Sequence, residues 1–271
     1  MSLIETNELE KNFHDFKIID CSWHMPLTNR NGYEEYKNKH IPNSIFFDLD
    51  KNSNKKTDLP HMLVELNEWE KIVSEMGINN NDQIVIYDNS DVISSCRCWY
   101  NFIYYGHKPD LVKVLNGGLK KWINENRITC TELPHIKKKN YIAKEIRNLL
   151  KDKKEIDENI SKKNFKVIDA RSIERFRGEV KEPRKGLRSG NIKNSICIPF
   201  NVLINDDKTF KSRKELIEIF SKDLKDISSD SVVFTCGSGV TACVLALAYS
   251  LINDKYLPKI YDGSWAEYGK F

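Results

Sequence analysis

The chain has 271 residues, enough for two domains of ordinary size. A composition of 40% hydrophobic and 30% charged residues, with 12 glycines and 8 prolines, excludes a collagen-like or wholly disordered chain. The net charge is only +4 despite 43 Lys and Arg, and the Lys-rich stretches lack interleaved aromatic residues, so we expect no nucleic-acid partner.

The longest strongly apolar stretch, 240–252, is too short to span a bilayer, and we therefore expect no membrane partner. The first eight residues are polar and acidic, unlike the basic and then apolar start of a signal peptide, which predicts a cytoplasmic protein. Seven cysteines without paired spacing predict reduced thiols rather than a disulfide framework or a metal site.

The first half of the chain alternates short apolar runs with one clear amphipathic segment. The runs at 18–19, 84–87 and 112–115 are bounded by turn residues and predict buried strands. Segment 66–76 predicts a helix because its apolar residues share one face, namely Leu66, Trp69, Ile72, Val73 and Met76.

The second half shows the same alternation. We predict strands at 167–168 and 232–234 and a helix at 216–224. Strands that alternate with helices favour a parallel sheet covered on both faces, so the predicted fold class is α/β.

The sequence also repeats itself once, at a spacing of about 150 residues. The matching segments are 17–20 with 166–169, 40–45 with 191–196, 82–88 with 230–236, and 116–122 with 262–268. Four matches in the same order predict two tandem copies of one domain. We place the first domain at 1–137, a charged linker region at 138–160 and the second domain at 161–271.

The chemistry is predicted to follow the strand at 232–235, which runs into Cys236-Gly-Ser-Gly-Val-Thr-Ala and then into an apolar helix from about Thr241. Ligands of open α/β sheets bind at the carboxyl ends of strands. Gly237 and Gly239 allow successive backbone N–H groups to form an anion nest, and the helix adds its positive end. We expect a thiol in this setting to ionise readily and to act as a nucleophile.

The alternative for Cys236 is a buried packing residue, which is the commoner role of cysteines in general. The other six cysteines lack such a loop, and we interpret them as packing residues: Cys21, Cys96, Cys98, Cys130, Cys197 and Cys243. In the first copy, Asp88 stands where Cys236 stands in the second. Because an acidic loop cannot hold an anion, we predict that the first domain is catalytically silent.

The tandem pattern and the 236–242 loop resemble the tandem-domain rhodanese family, and more narrowly its 3-mercaptopyruvate sulfurtransferases. The likeness extends to segments 46–50, 61–63, 182–184 and 261–265. Members of the family that prefer thiosulfate carry Arg and Lys at the two positions after the cysteine, where this chain has Gly237 and Ser238.

The resemblance implies two groups of site residues. Arg175 and Arg184 match the arginines that bind the carboxylate and keto oxygens of the substrate, and guanidinium groups suit that task. Taken alone, they could equally belong to an ordinary solvated loop. The backbone of the loop is expected to complete the binding site through Gly237, Gly239, Val240 and Thr241.

The second group is a proton relay, for which the resemblance implies Ser238, His61 and Asp50 as catalytic residues beside Cys236. By itself, His61 would more readily be interpreted as a surface histidine. Val64 and Glu65 follow where the family commonly has a proline and a small residue, so the loop that holds His61 departs from the family pattern.

The predicted function is therefore transfer of the sulfur of 3-mercaptopyruvate through a Cys236 persulfide to an acceptor thiol, such as thioredoxin or glutathione, or to cyanide. This chemistry needs no metal and no cofactor. Three alternatives remain: the same fold acting on thiosulfate, a non-enzymatic persulfide carrier, and a cysteine phosphatase. The last is disfavoured because 240–243 lacks the arginine that closes a phosphatase loop.

Overall fold

The computed structural model describes residues 2–227 and 231–271; Asp230 of the third repeated pair lies outside them. The elements of the first half are β1 (Leu3–Ile4), α1 (Thr6–Lys11), β2 (Phe16–Asp20), α2 (Gly32–Asn38), β3 (Ile45–Phe46), α3 (Leu66–Glu75), β4 (Gln83–Tyr87), α4 (Ser95–Tyr104), β5 (Val112–Leu115) and α5 (Gly118–Asn124). The predicted strands and the predicted helix of this half are all present.

In the part of the chain that the structure describes, the second half has the same number of α-helices and β-strands as the first. They are β6 (Leu150–Lys151), α6 (Lys153–Lys162), β7 (Lys166–Asp169), α7 (Ile173–Arg177), β8 (Ile196–Cys197), α8 (Arg213–Phe220), β9 (Val232–Thr235), α9 (Thr241–Ser250), β10 (Ile260–Tyr261) and α10 (Ser264–Tyr268). The helix predicted at 216–224 is α8, which begins earlier because Ser212 caps it through the backbone N–H of Glu215 and which ends at Phe220.

Each half forms one five-stranded sheet with entirely parallel pairing. The strand orders are β1-β5-β4-β2-β3 and β6-β10-β9-β7-β8, so every strand of one sheet has its counterpart in the other. Ile19 lies opposite Ile86 in the first sheet, and Ile168 lies opposite Phe234 in the second. The predicted α/β class and the predicted repeat are both confirmed.

The two cores use corresponding positions of the repeat. The first core cluster contains Ile4, Leu9, Ile18, Ile41, Val85, Tyr87, Leu115, Leu119 and Trp122. The second contains Ile156, Val167, Ile192, Val233, Tyr261 and Trp265. Equivalent strands and helices therefore bury equivalent side chains, as expected for two copies of one domain.

Helix α9 follows the predicted active-site loop and is apolar on every side. Its residues from Ala242 to Tyr249 are all buried, which is why the sequence there shows no amphipathic period. Among the described residues, no helix is long and apolar enough to cross a bilayer.

The chain divides into two compact units whose limits differ from the predicted domain boundaries. The first unit comprises the chain up to Asn54, Leu63–Ile146 and Asp206–Thr209. The second comprises Lys55–Met62, Arg147–Asn205 and Phe210–Phe271. A short segment from the first copy, which includes His61, thus belongs to the second unit.

The predicted linker 138–160 is also not a simple linker. Its later part forms β6, which pairs with β10, and the start of α6. Asp152 and Glu155 form a capping box at the start of α6, and Ile156 is buried in the second core. The cause is local sequence chemistry, since an Asp three residues before a Glu is a signal that begins a helix.

Candidate active site

The cysteine-bearing loop lies at the carboxyl end of β9, at the centre of the second sheet. Cys236 follows Thr235 directly and is 2% exposed, and α9 begins five residues later at Thr241. Gly239 has a φ of +76°, a backbone conformation that favours glycine. The predicted order of strand, loop and helix is therefore present, and it turns the loop back over the end of the strand.

Ser264 holds this loop from the start of α10. Its Oγ accepts the N–H of Cys236 at 3.2 Å and the N–H of Gly239 at 3.1 Å, and it donates to the carbonyl of Tyr261 at 2.8 Å. Ser264 is fully buried. The sequence reasoning missed this residue, although it lies within the 261–265 segment that carries the family resemblance.

The Ser264 contacts change the predicted anion nest. The N–H of Gly239 is already bonded to a side chain, so it is not among the free donors of the loop. In the described part of the chain, the N–H groups of Gly237, Ser238, Val240 and Thr241 donate to no protein acceptor. These four are the backbone groups that remain for an anion held beside Cys236.

Ser238 links a histidine and an arginine. His61 Nδ1 lies 3.0 Å from Ser238 Oγ, and Arg184 Nη2 donates to the same oxygen at 3.1 Å. Ser238 and His61 are 6% and 4% exposed, so this contact is shielded from water. Because arginine can only donate, the hydroxyl hydrogen of Ser238 is available for His61 Nδ1.

His61 sits in an unusual backbone conformation. Its φ is +62°, in the left-handed region that non-glycine residues rarely adopt. The surrounding segment Lys55–Met62 belongs to the second unit, where Asp58 also forms an ion pair with Lys270. His61 is therefore a buried neighbour of the loop rather than a surface histidine.

A buried carboxylate, Glu182, positions Arg175, the other arginine that is predicted to bind the substrate. Glu182 accepts from Arg175 Nη2 at 2.6 Å and Nε at 3.2 Å, and also from Arg171 Nη1 at 2.9 Å. The Glu182 side chain is only 1% exposed, whereas that of Arg175 is 22% exposed. Arg175 thus has one edge fixed by Glu182 and the other edge directed elsewhere.

Arg171 also binds Glu182 and so helps to hold it in place. This residue was not singled out in the sequence. It forks onto Asp169, at the end of β7, with Nη2 at 2.7 Å from Oδ2, and its guanidinium lies 4.4 Å from the centre of the Trp265 ring. Burial alone would lower the pKa of Arg171, but Asp169 and Glu182 outweigh it and raise the pKa. The group is therefore a permanent buried cation.

Both predicted substrate arginines face the loop. A Cβ atom at residue 237 would lie 3.2 Å from Arg175 Nη2 and 3.5 Å from Arg184 Nη1. Gly237 is the residue next to Cys236, so two guanidinium groups converge on the loop directly after the cysteine. Glycine at 237 leaves room for them.

Asp50, the third member of the predicted relay, lies in the first unit. One of its carboxylate oxygens accepts from Trp23 Nε1 at 2.9 Å. The structure therefore brings together Cys236, Ser238, His61, Arg175 and Arg184 in the second unit, and the catalytic role of Asp50 stays a prediction.

In the first copy, the side chain of Asp88 fills the loop that corresponds to the cysteine-bearing loop of the second copy. Asp88, at the position of Cys236, accepts from the N–H of Ser90 at 2.8 Å and from the N–H of Ser95 at 2.9 Å. Burial raises the pKa of Asp88, although these hydrogen bonds oppose the effect. A carboxylate thus occupies donors that could otherwise surround an external anion, which agrees with a silent first domain.

Comparisons with known proteins match these observations. The model of the rhodanese-like domain family matches the chain twice, at residues 5–125 and 152–270. A mitochondrial thiosulfate/3-mercaptopyruvate sulfurtransferase of Arabidopsis thaliana is 37% identical over 276 residues, which cover 94% of this chain and 72% of that protein. Thiosulfate sulfurtransferase of Rattus norvegicus is 34% identical over 255 residues, covering 93% of this chain and 84% of that protein.

Solved structures give the same result. The crystal structure of SseA from Escherichia coli, a 3-mercaptopyruvate sulfotransferase with the rhodanese fold, has a TM-score of 0.87 and 28% identity, covering 98% of this chain and 99% of that chain. Two equivalent α/β domains, the second with a cysteine-bearing loop, define a tandem rhodanese-like protein. The chain belongs to the rhodanese family. The predicted enzyme class, a sulfurtransferase, is confirmed with it.

Proposed function

We propose that the enzyme takes sulfur from 3-mercaptopyruvate onto Cys236 and passes it to an acceptor thiol or to cyanide. The observation that carries this proposal is the convergence of Arg175 and Arg184 beside Gly237. Two guanidinium groups next to a nucleophile suit a small α-keto carboxylate, because each can donate two parallel hydrogen bonds.

The first half-reaction breaks the carbon–sulfur bond of the donor. The carboxylate of the donor binds the two arginines, and the Cys236 thiolate attacks the donor sulfur. The electron pair of the carbon–sulfur bond moves to the carbon fragment, which leaves as the enolate of pyruvate. The outer sulfur remains on Cys236 as a persulfide, held by the free N–H groups of the loop.

The leaving enolate needs a proton, and the Ser238 hydroxyl is the nearest candidate donor. Arg184 fixes the oxygen of Ser238, and His61 Nδ1 lies 3.0 Å from the same oxygen. When the His61 ring carries a proton on Nδ1, Ser238 gives its hydroxyl hydrogen to the enolate and takes the Nδ1 proton in exchange. Arg184 therefore has two roles, binding the donor and orienting the hydroxyl. In the second half-reaction, an acceptor thiolate attacks the outer sulfur and releases the Cys236 thiolate.

Thiosulfate is the second candidate donor, and one observation favours it. The guanidinium groups of Arg175 and Arg184 supply positive charge beside the loop, although residues 237 and 238 do not. A divalent anion could therefore bind as well. It differs in that sulfite leaves without needing a proton, so it does not depend on Ser238.

Arg175 gives the clearest test, because Glu182 keeps its other partner, Arg171, when Arg175 is removed. We expect Arg175→Ala to lower kcat/KM for mercaptopyruvate. The decrease should correspond to a loss of about 1.5–3 kcal/mol of transition-state stabilisation, the scale of a charge-assisted hydrogen bond. Arg177→Ala is the matched control, since Arg177 lies on the same helix and is 64% exposed. Equal kinetic constants for the two variants would mean that the carboxylate binds elsewhere.

Steady-state kinetics with mercaptopyruvate and thiosulfate, measured as pyruvate and sulfite release, then decide between the donors. The predicted acceptors, thioredoxin, glutathione and cyanide, are to be compared in the same assay. The cytoplasmic location stays a prediction.

A further inference from the structure

Two cysteines outside the active-site loop differ from the others in their exposure to solvent. Cys130 and Cys197 are partly exposed, whereas the other five are buried, and all seven are free thiols. Cys197 donates to the carbonyl of Arg171 at 3.3 Å, and burial raises its pKa to about 12. Cys130 has a different environment because it lies beside a histidine.

The backbone forces Cys130 and His40 together. The N–H of His40 donates to the carbonyl of Cys130 at 3.0 Å, and the N–H of Cys130 donates back at 2.9 Å. Residues directly opposed in such an antiparallel pair project their side chains to the same face. As a result, Cys130 Sγ lies 3.3 Å from His40 Nε2.

The hydrogen bonds of the His40 ring define where its protons lie. The ring is fully buried and stacks on Tyr36, with Nδ1 2.6 Å from the carbonyl oxygen of Tyr36 and Nε2 3.1 Å from that of Glu132. Carbonyl oxygens only accept, so the shorter contact assigns a ring proton to Nδ1, which donates to Tyr36. In that tautomer the lone pair of Nε2 faces the sulfur of Cys130.

The Cys130 thiol can pass its proton to His40 Nε2, and the hydrogen bond to the carbonyl of Tyr36 holds the ring in the orientation that receives it. Cys130 Sγ also lies 3.9 Å from the carbonyl oxygen of Glu132, a longer contact. A partly exposed thiolate formed in this way is a nucleophile.

We propose that Cys130 and His40 form a second reactive thiol site, separate from Cys236, that reacts with low-molecular-weight disulfides. The Cys130 thiolate attacks one sulfur of the disulfide, and the sulfur–sulfur bond of that disulfide breaks. The displaced thiolate takes a proton from His40, which no longer faces an anion. The product is a mixed disulfide on Cys130 and one free thiol, with the disulfide as the oxidant.

Oxidised glutathione is the probe for this reaction, applied to the Cys236→Ser variant so that the active-site thiol does not contribute. Peptide mapping of samples taken at successive times gives the modification rates of Cys130 and Cys197 in the same molecule. We expect Cys130 to react at least about tenfold faster, because Cys197 is held as a thiol. A Cys130 rate no higher than that of Cys197 would overturn the proposal.

His40→Asn tests the role of the ring. Asparagine retains a donor for the carbonyl of Tyr36 but has no group in place of Nε2. We expect about tenfold slower modification of Cys130 and an unchanged rate at Cys197. An unchanged Cys130 rate in a folded variant contradicts the assignment. If the variant does not fold, the comparison of Cys130 with Cys197 in the parent chain decides the matter alone.

Discussion

At the scale of single residues, the active-site loop depends on the contacts of two serine hydroxyl groups. Ser238 Oγ lies between His61 and Arg184, and Ser264 Oγ fixes the backbone of Cys236 and Gly239. The two serines have separate tasks: the first faces the reacting atoms, and the second shapes the loop.

Replacing Ser238 by alanine tests the proton-transfer step. We expect kcat with mercaptopyruvate to fall by about 100-fold, the lower range for general acid catalysis, and the rate with thiosulfate to change much less because sulfite needs no proton. Ser90→Ala is the matched control, since Ser90 has the corresponding position two residues after Asp88 in the first copy. Equal losses with both donors would remove Ser238 from the proton path.

The sequence predicted the residues of the site better than the contacts that organise them. Cys236 could be recognised because a strand, glycines and a helix follow one another in the chain. Ser264 could not be assigned from local sequence, because it lies 28 residues after Cys236 and meets it only in the fold. Glu182 is only 7 and 11 residues from Arg175 and Arg171, but no single helix or strand contains these positions, so their contact depends on the path of the loop. The position of His61 in the second unit is likewise a tertiary result.

At the scale of the elements, helix α6 is the clearest difference between expectation and structure. The charged segment around Lys151 suggested a linker, but Asp152 and Glu155 begin a helix whose Ile156 is buried. High charge therefore did not mean absence of structure; the capping pattern was the more informative signal.

We expect Asp152→Ala to lower the free energy of unfolding by about 1 kcal/mol, because the variant loses the side chain that accepts from the N–H of Glu155. Denaturant unfolding measures the change. Glu158→Ala is the control from the same helix, where an exposed pair with Lys162 is worth only a few tenths of a kcal/mol. A loss for Asp152→Ala no larger than that of the control would show that the cap does not stabilise α6.

At the scale of the whole molecule, two copies of one fold carry opposite charges at the same loop. The second copy presents arginines to its loop, and the first fills its loop with Asp88, whose charge acts on a second buried carboxylate, Asp20. Burial raises the pKa of Asp20 from 3.8 to about 7, against the opposing hydrogen bonds from Ser22. The first domain therefore binds a proton more tightly when folded than when unfolded.

This proton makes the first domain less stable as the pH rises. The contribution of Asp20 is fully present below about pH 4 and is lost as the pH rises through about 7, because the unfolded carboxyl ionises first. We expect Asp20→Asn to be more stable than the parent above pH 7, by up to about 4 kcal/mol, with the difference shrinking toward pH 4. Thermal unfolding from pH 4 to pH 8 measures it, and Asp110→Asn, an exposed change, is the control. A difference that does not vary with pH would contradict the raised pKa.

The central claim is that Cys236 carries the transferred sulfur. The most direct test is the intact mass of the protein after treatment with mercaptopyruvate without an acceptor. The account predicts one added sulfur atom on the parent chain, located at Cys236 by peptide mapping, and none at this position in Cys236→Ser. Acceptor thiol should remove that sulfur. Turnover retained by Cys236→Ser, or an added sulfur that maps to another residue, would contradict the account.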